Sequence, residues 1–91
     1  MVLVLPFDES ATAAALKIGS RLRKSDIPTE IYFEAGKFKN KLSYANKLGV
    51  KYAVIVGEDE LKGGFWTLKD MINGGQERLS EKELIKKIVS S

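Results

Sequence analysis

Apolar and polar positions change period repeatedly along this chain, and the changes mark out its elements. Val2, Leu3, Val4 and Leu5 form an unbroken apolar run closed by Pro6, the pattern of a strand buried on both faces. Over residues 8–24 the period becomes helical, with Ala11, Ala15, Ile18 and Leu22 on one stripe. Asp8, Glu9 and Ser10 open that helix, and Arg21, Arg23 and Lys24 close it. Acids thus stand at the positive end of the helix dipole and bases at its negative end. Ser25, Asp26 and Pro28 stop it. Residues 29–33 alternate, Ile31 and Phe33 on one face and Glu30 and Tyr32 on the other, as a half-exposed edge strand requires.

The stretch from Glu34 to Glu60, EAGKFKNKLSYANKLGVKYAVIVGEDE, is the part the other elements support. Its first half predicts a basic amphipathic helix starting at Glu34. Phe38, Leu42, Ala45 and Leu48 make the buried stripe, and Lys37, Lys39, Lys41, Lys47 and Lys51 carry the charge, with no acid between Lys37 and Lys51. Gly49 is a natural left-handed cap for its end. Tyr52 to Val56 is a second continuous apolar run, and after Gly57 the acids Glu58, Asp59 and Glu60 predict an acidic loop at that strand's carboxyl end.

Strand, helix, strand, helix and strand joined by short loops make the three strands parallel. Right-handed crossovers place the first strand in the middle and the two helices on opposite faces. Residues 57–63 are too few for another crossover, so a strand over 64–70 must run antiparallel to the third. Asn73, Gly74, Gly75 and Gln76 form a turn, and residues 77–79 a short fifth strand. Ser80 with Glu83 is a capping box, opening a last helix that buries Leu84, Ile85, Ile88 and Val89. The predicted architecture is a three-layer α/β/α domain. Its five-stranded mixed sheet has order 2-1-3-4-5, with strand 4 antiparallel.

Composition narrows what such a domain can do. At 91 residues there is room for one domain. The net charge of +3 admits a polyanionic partner, and the clustered lysines point to one more sharply. There is no Cys, which excludes disulfides and Cys-ligated metals and suits a cytoplasmic setting. There is no His either, so the commonest general base, the commonest metal ligand and every Ser-His or Cys-His nucleophile are missing. No catalytic residue, metal or cofactor is predicted. No segment approaches the roughly 20 apolar residues that span a bilayer, and MVLVLPF is too short and lacks the basic start of a signal peptide. Because the first strand begins at residue 2, the chain is expected to be a domain, over 1–91, of a longer protein.

The residues LRKSDIPTEIYFEAGKFKNKLSYANKLGVKYAVIVGEDELKGGFWTLKDMINGGQE resemble the anticodon-binding domain of class II aminoacyl-tRNA synthetases. Threonyl, prolyl and glycyl members share the fold and the strand-Gly-acidic pattern. The run KLSYANKLGV followed by VGEDEL is similar to the histidyl branch. The resemblance covers the chain from Val2 to the last helix and implies a five-stranded mixed sheet between helices, in agreement with the topology above. It also implies binding to the anticodon loop of histidine tRNA and a catalytic domain in the same parent. That parent would be an ATP-dependent histidine–tRNA ligase, homodimeric and cytoplasmic. Motifs of the catalytic domain are absent here, so RNA binding and not aminoacylation is expected of this chain.

If the first and last helices share one face of the sheet, the lysine helix covers only part of the other, leaving strands 4 and 5 partly open beside it. Along strand 4, Trp66 and Leu68 then point to the core and Phe65, Thr67 and Lys69 to the open side. Aromatics there can stack splayed bases, lysines neutralise phosphates, and carboxylates accept from exocyclic amines. The predicted RNA-contacting residues are Glu34, Lys37, Phe38, Lys41, Glu58, Glu60, Phe65 and Lys69. The resemblance to the threonyl branch puts Glu60 and Lys69 at positions implicated there in anticodon contact. The strand residue there is Arg, so a bidentate contact does not carry over to Lys69. Lys69 stands about five residues along strand 4, roughly 16 Å at strand rise, so it and Glu60 should meet different nucleotides.

Plainer readings stand beside these. The lysine helix can be a solvated face, Phe65 can cover a satellite apolar cluster, and Lys69 can pair with Asp70 across a turn. Tyr32 and Tyr44 can rim the core with wet hydroxyls. Gly63-Gly64 and Gly74-Gly75 suit turns better than phosphate cradles, because neither lies between a parallel strand and a helix. Two other functions remain open: a nucleotide-binding domain using the switch point beyond strands 1 and 3, and a protein-interaction module. Against the first, Pro6-Phe7-Asp8-Glu9 is acidic and lacks the glycines a phosphate needs.

Overall fold

Strand β1 (Val2–Pro6) is buried along its whole length and lies inside the sheet, with a parallel strand on each side. The computed structural model describes residues 1–34 and 36–90. A 3-10 turn (Glu9–Ala11) follows β1 and leads into helix α1 (Thr12–Lys24). The Asp8 carboxylate caps it by accepting the Ser10 N–H. Then come β2 (Thr29–Ile31), α2 (Phe38–Leu48), β3 (Tyr52–Val56), α3 (Glu58–Gly63), β4 (Trp66–Asp70), β5 (Gln76–Leu79) and α4 (Glu81–Val89). The sheet order is β2-β1-β3-β4-β5, with β4 antiparallel to both neighbours. This is the predicted topology.

Strand alternation sorts the core into two layers. Val2 and Val4 face α1 and α4, where they meet Ala11, Ala15, Ile18, Leu22 and Leu84, with Val54, Val56 and Leu68 of the neighbouring strands. Leu3 and Leu5 face the other way, toward Ala45 of α2, with Ala53 and Val50. The stripe predicted for the first helix is wholly buried. A Cβ at Gly19 would lie 2.6 Å from the Ile31 side chain, so this helix approaches β2 as closely as a bare backbone allows. Gly49 ends α2 at φ 70°, in the left-handed region. The Ser80–Glu83 capping box forms, each partner bonding the other's backbone N–H.

Several boundaries differ from expectation. Helix α2 begins at Phe38, not Glu34; Ala35, within the expected first turn, lies outside the described residues. Strand β2 ends at Ile31, so its alternation does not reach Phe33, which is exposed at 66%. Leu48 and Val89 are also exposed. Each is the last residue of its helix, beyond the sheet's cover. Residues 58–63 form a short helix where a loop was expected.

Asp70 does not pair with Lys69. Its carboxylate accepts the backbone N–H groups of Ile72 and Asn73, both at 2.9 Å, and the Asn73 side-chain amide at 3.0 Å. Those bonds, Asn73's first, hold the carboxyl below its ordinary value. The Ser80 backbone N–H does the same for Glu83. A depressed folded pKa adds stability that is complete above the unfolded value, about pH 4, and is lost as pH falls through the folded value. Melting curves should therefore show stability falling below pH about 4, with a shallower fall in the double variant Asp70→Asn/Glu83→Gln. An equally steep fall in that variant would place the acid sensitivity elsewhere.

Candidate nucleic-acid interface

The face of the sheet beside α2 is closed at one end and open at the other. Ala53 packs under α2, and its cross-strand partner is Lys69. Directly paired residues project to the same face, so Lys69 and Thr67 stand on the α2 side of β4. Their partners on β5, Gln76 and Arg78, do the same. Trp66 and Leu68 join the opposite layer, as predicted. Lys69 is half-exposed and Gln76 and Arg78 exposed, so β4 and β5 present a polar surface that α2 leaves uncovered.

Glu60 reaches the edge of that surface from α3. One carboxylate oxygen accepts the Thr67 hydroxyl at 2.8 Å, and Thr67 is only 6% exposed. The other lies 3.0 Å from where a Cβ of Gly57 would be, so a bare residue lets the acid fold inward. Glu58, by contrast, points to solvent and pairs with Lys62 at 2.8 Å, both 75% exposed, a contact of small energetic weight.

Phe65 precedes β4 and is half-buried. The Arg78 guanidinium sits 4.9 Å from its ring centroid, a cation–π contact. A Cβ at Gly63 would collide with the ring's other edge. The ring is therefore engaged within the domain, on the side of β4 where the sequence places it. Arg78 itself escaped the sequence reading. The available signal was period two in the fifth strand, which puts Arg78 on the open face once Leu79 is assigned to the core.

At the start of α2, Lys37 holds the N-cap position with no capping bond from its side chain. The first turn of this helix contains no acid, and Lys37 and Lys39 are exposed there. Phe38 is half-buried against the exposed Phe7, with ring centroids 5.0 Å apart. Lys41 is not among the solvated lysines: it is 3% exposed. Its ammonium donates to the Pro6 carbonyl at 2.7 Å and lies 5.9 Å from the Tyr32 ring centroid. Position 41 adjoins Leu42 and Ala45 where α2 packs on β1, and the stem of Lys41 is buried there while its ammonium serves the carbonyl of Pro6. Glu34 is exposed and shares a depression with Pro6, Asp8, Glu9 and Lys41 on the β2 side, away from β4 and β5. Burial, then the nearby Glu34, raises the Tyr32 pKa, and Tyr32 meets Tyr44 edge-on at 5.2 Å. Of the predicted set, Glu60, Phe65 and Lys69 share the open face. Lys37 and Phe38 flank α2's start, Glu58 lines one depression with Glu60, Phe7 and Asp8, and Glu34 and Lys41 share another on the β2 side.

The sequence matches the family described as "Anticodon binding domain" over residues 1–91. The chain belongs to the anticodon-binding domain family. Among its relatives, the histidine–tRNA ligase of Pyrococcus furiosus is 40% identical over 84 residues, 92% of this chain and 19% of that protein. That of Clostridium acetobutylicum is 47% identical over 68 residues, 75% of this chain and 16% of its own length. The anticodon-binding domain is thus of the histidyl-tRNA synthetase type, and it spans about a fifth of the curated relatives it matches. In structure it superposes on histidyl-tRNA synthetase from Nostoc with a TM-score of 0.92, at 26% identity, over 98% of this chain and 21% of that one. The RNA binding domain of threonyl-tRNA synthetase from Cryptosporidium parvum gives 0.93 at 23% identity, over 99% of this chain and 23% of that one, a likeness of fold. Among the described residues no helix is long and apolar enough to cross a membrane, and no cluster of three or more acids is placed to hold a metal.

Proposed function

We propose that this domain binds the anticodon loop of histidine tRNA, as the recognition module of a cytoplasmic, homodimeric histidine–tRNA ligase whose catalytic domain lies elsewhere in the parent. One observation carries the reading: α2 begins with Lys37 and Lys39 and has no acid in its first turn. Cations at a helix N-terminus oppose the macrodipole and cost helix stability. Dipole and lysines together favour an anion at this end of α2, which an RNA backbone can supply. The aromatic and polar groups on the open face of β4 and β5 suit unstacked bases and not a duplex.

The test is salt dependence. Lys37→Ala/Lys39→Ala should weaken every RNA loop to a similar extent. It should also flatten the slope of log affinity against log salt by about 0.7 per lost phosphate contact, so about 1.4 in the double variant. Titration of the histidine anticodon stem-loop at several salt concentrations reads both. An unchanged slope would mean that these lysines are only solvated.

A further inference from the structure

We propose that Arg78, held over the Phe65 ring, reads the edge of a guanine base together with Glu60. This inference rests on the RNA-binding reading above and assigns a specificity residue within it. The other two arginines that flank the helices have their donors engaged: Arg21 with Glu81, and Arg23 with the Thr29 carbonyl through two nitrogens. Among the described residues, the Arg78 side chain meets the Phe65 ring, at 4.9 Å, and makes no hydrogen bond or ion pair. A guanidinium on an aromatic ring keeps its N–H groups for another partner, and the ring restricts where they point. The cation is thus prepositioned on the open face with its fork unused.

Thr67 joins this cation to an acceptor. It is the cross-strand partner of Arg78, which puts the two Cβ atoms about 4.5–5.5 Å apart. Its hydroxyl donates to the Glu60 carboxylate at 2.8 Å. Donors from Arg78 and an acceptor from Glu60 therefore flank one buried residue. A phosphate would gain from the arginine and be repelled by the carboxylate. A base carrying paired acceptors and paired donors satisfies both, and guanine offers O6 and N7 to the fork and N1–H and N2–H to the carboxylate. Adenine puts an amino donor in place of O6, a bare acceptor at N1 and only hydrogen at C2, so it serves neither group as well. Lys69 cannot substitute, because an ammonium is a point charge without a fork.

Phe65 becomes a positioning residue here. It acts through Arg78, and the base stacks on the guanidinium plane or beside it.

The experiment compares two RNA stem-loops, one with the anticodon GUG and one with both guanines replaced by adenine, against the 91-residue chain. Arg78→Lys keeps the charge and removes the fork. It should lose about fivefold to a hundredfold in affinity for the guanine loop, the worth of a bidentate pair. It should lose less than about twofold for the adenine loop, with an unchanged salt slope. Phe65→Leu should reproduce the same selective loss and Phe65→Tyr should restore it, which a merely structural role for the ring would not do. Equal loss on both RNAs would make Arg78 a phosphate contact and overturn the proposal. Unchanged affinity for the guanine loop would also overturn it while leaving RNA binding intact. If the wild-type chain binds neither loop, the RNA-binding reading itself fails. Thermal melting checks that the exposed Arg78 variants remain folded.

Discussion

Lys41→Ala should destabilise the domain by about 2–4 kcal/mol, from the lost charged hydrogen bond and the void left by its aliphatic stem. The ammonium is nearly sealed from water and serves the Pro6 carbonyl at 2.7 Å, which would otherwise lose its donor at the exit of β1. Such a loss is a large part of the roughly 5–15 kcal/mol that holds a domain together. Lys41→Met keeps most of the stem volume and should lose only about 1.5–3 kcal/mol, the hydrogen-bond share. Urea titration of the three proteins measures the series. In RNA binding, the folded Lys41→Met protein should keep the wild-type salt slope, unlike the Lys37/Lys39 variant. If Lys41→Ala is as stable as wild type, the buried contact contributes nothing.

Glu60→Gln should weaken binding to a guanine-bearing anticodon loop by about 1–3 kcal/mol, the range for a charged hydrogen bond. It should leave a loop with adenines nearly unchanged or slightly tighter, since one repulsive charge is gone. The substitution is clean because a glutamine oxygen can still accept the Thr67 hydroxyl, now donated to the carboxylate at 2.8 Å. Glu60→Ala would confound the result by stripping that hydroxyl of its partner. A two-by-two titration, wild type and Glu60→Gln against both loops, decides the matter. Equal tightening of both RNAs would make the carboxylate a structural clamp for Thr67 and nothing more.

Periodicity made the architecture legible. The apolar runs of β1 and β3, the stripe of α1 and the short connection before β4 leave little choice of topology, and the sheet order follows. The faces of β4 were equally readable, because Trp66 and Leu68 alternate with Thr67 and Lys69 and only one pair suits a core. The site was less legible. Lys41 carries the same letter as its solvated neighbours, and its burial depends on a carbonyl 35 residues away in the chain. The partner of the Phe65 ring was not legible, because it comes from Arg78 on another strand. The partner of Glu60 was not legible, because Thr67 reaches it only after the chain has turned through α3. Local pattern sets which face a residue takes, while pairings between elements set what it meets there.

Gly63 has no side chain to offer an RNA, yet the Phe65 ring occupies the space its Cβ would need. Even one methyl group at position 63 would force the ring to shift, and the Arg78 cation that sits over it would have to follow. The place of the Arg78 cation on the open face is thus set by an absent atom, two residues upstream of the ring it sits on. An alanine there would move that cation without altering a single charge, donor or acceptor on the surface.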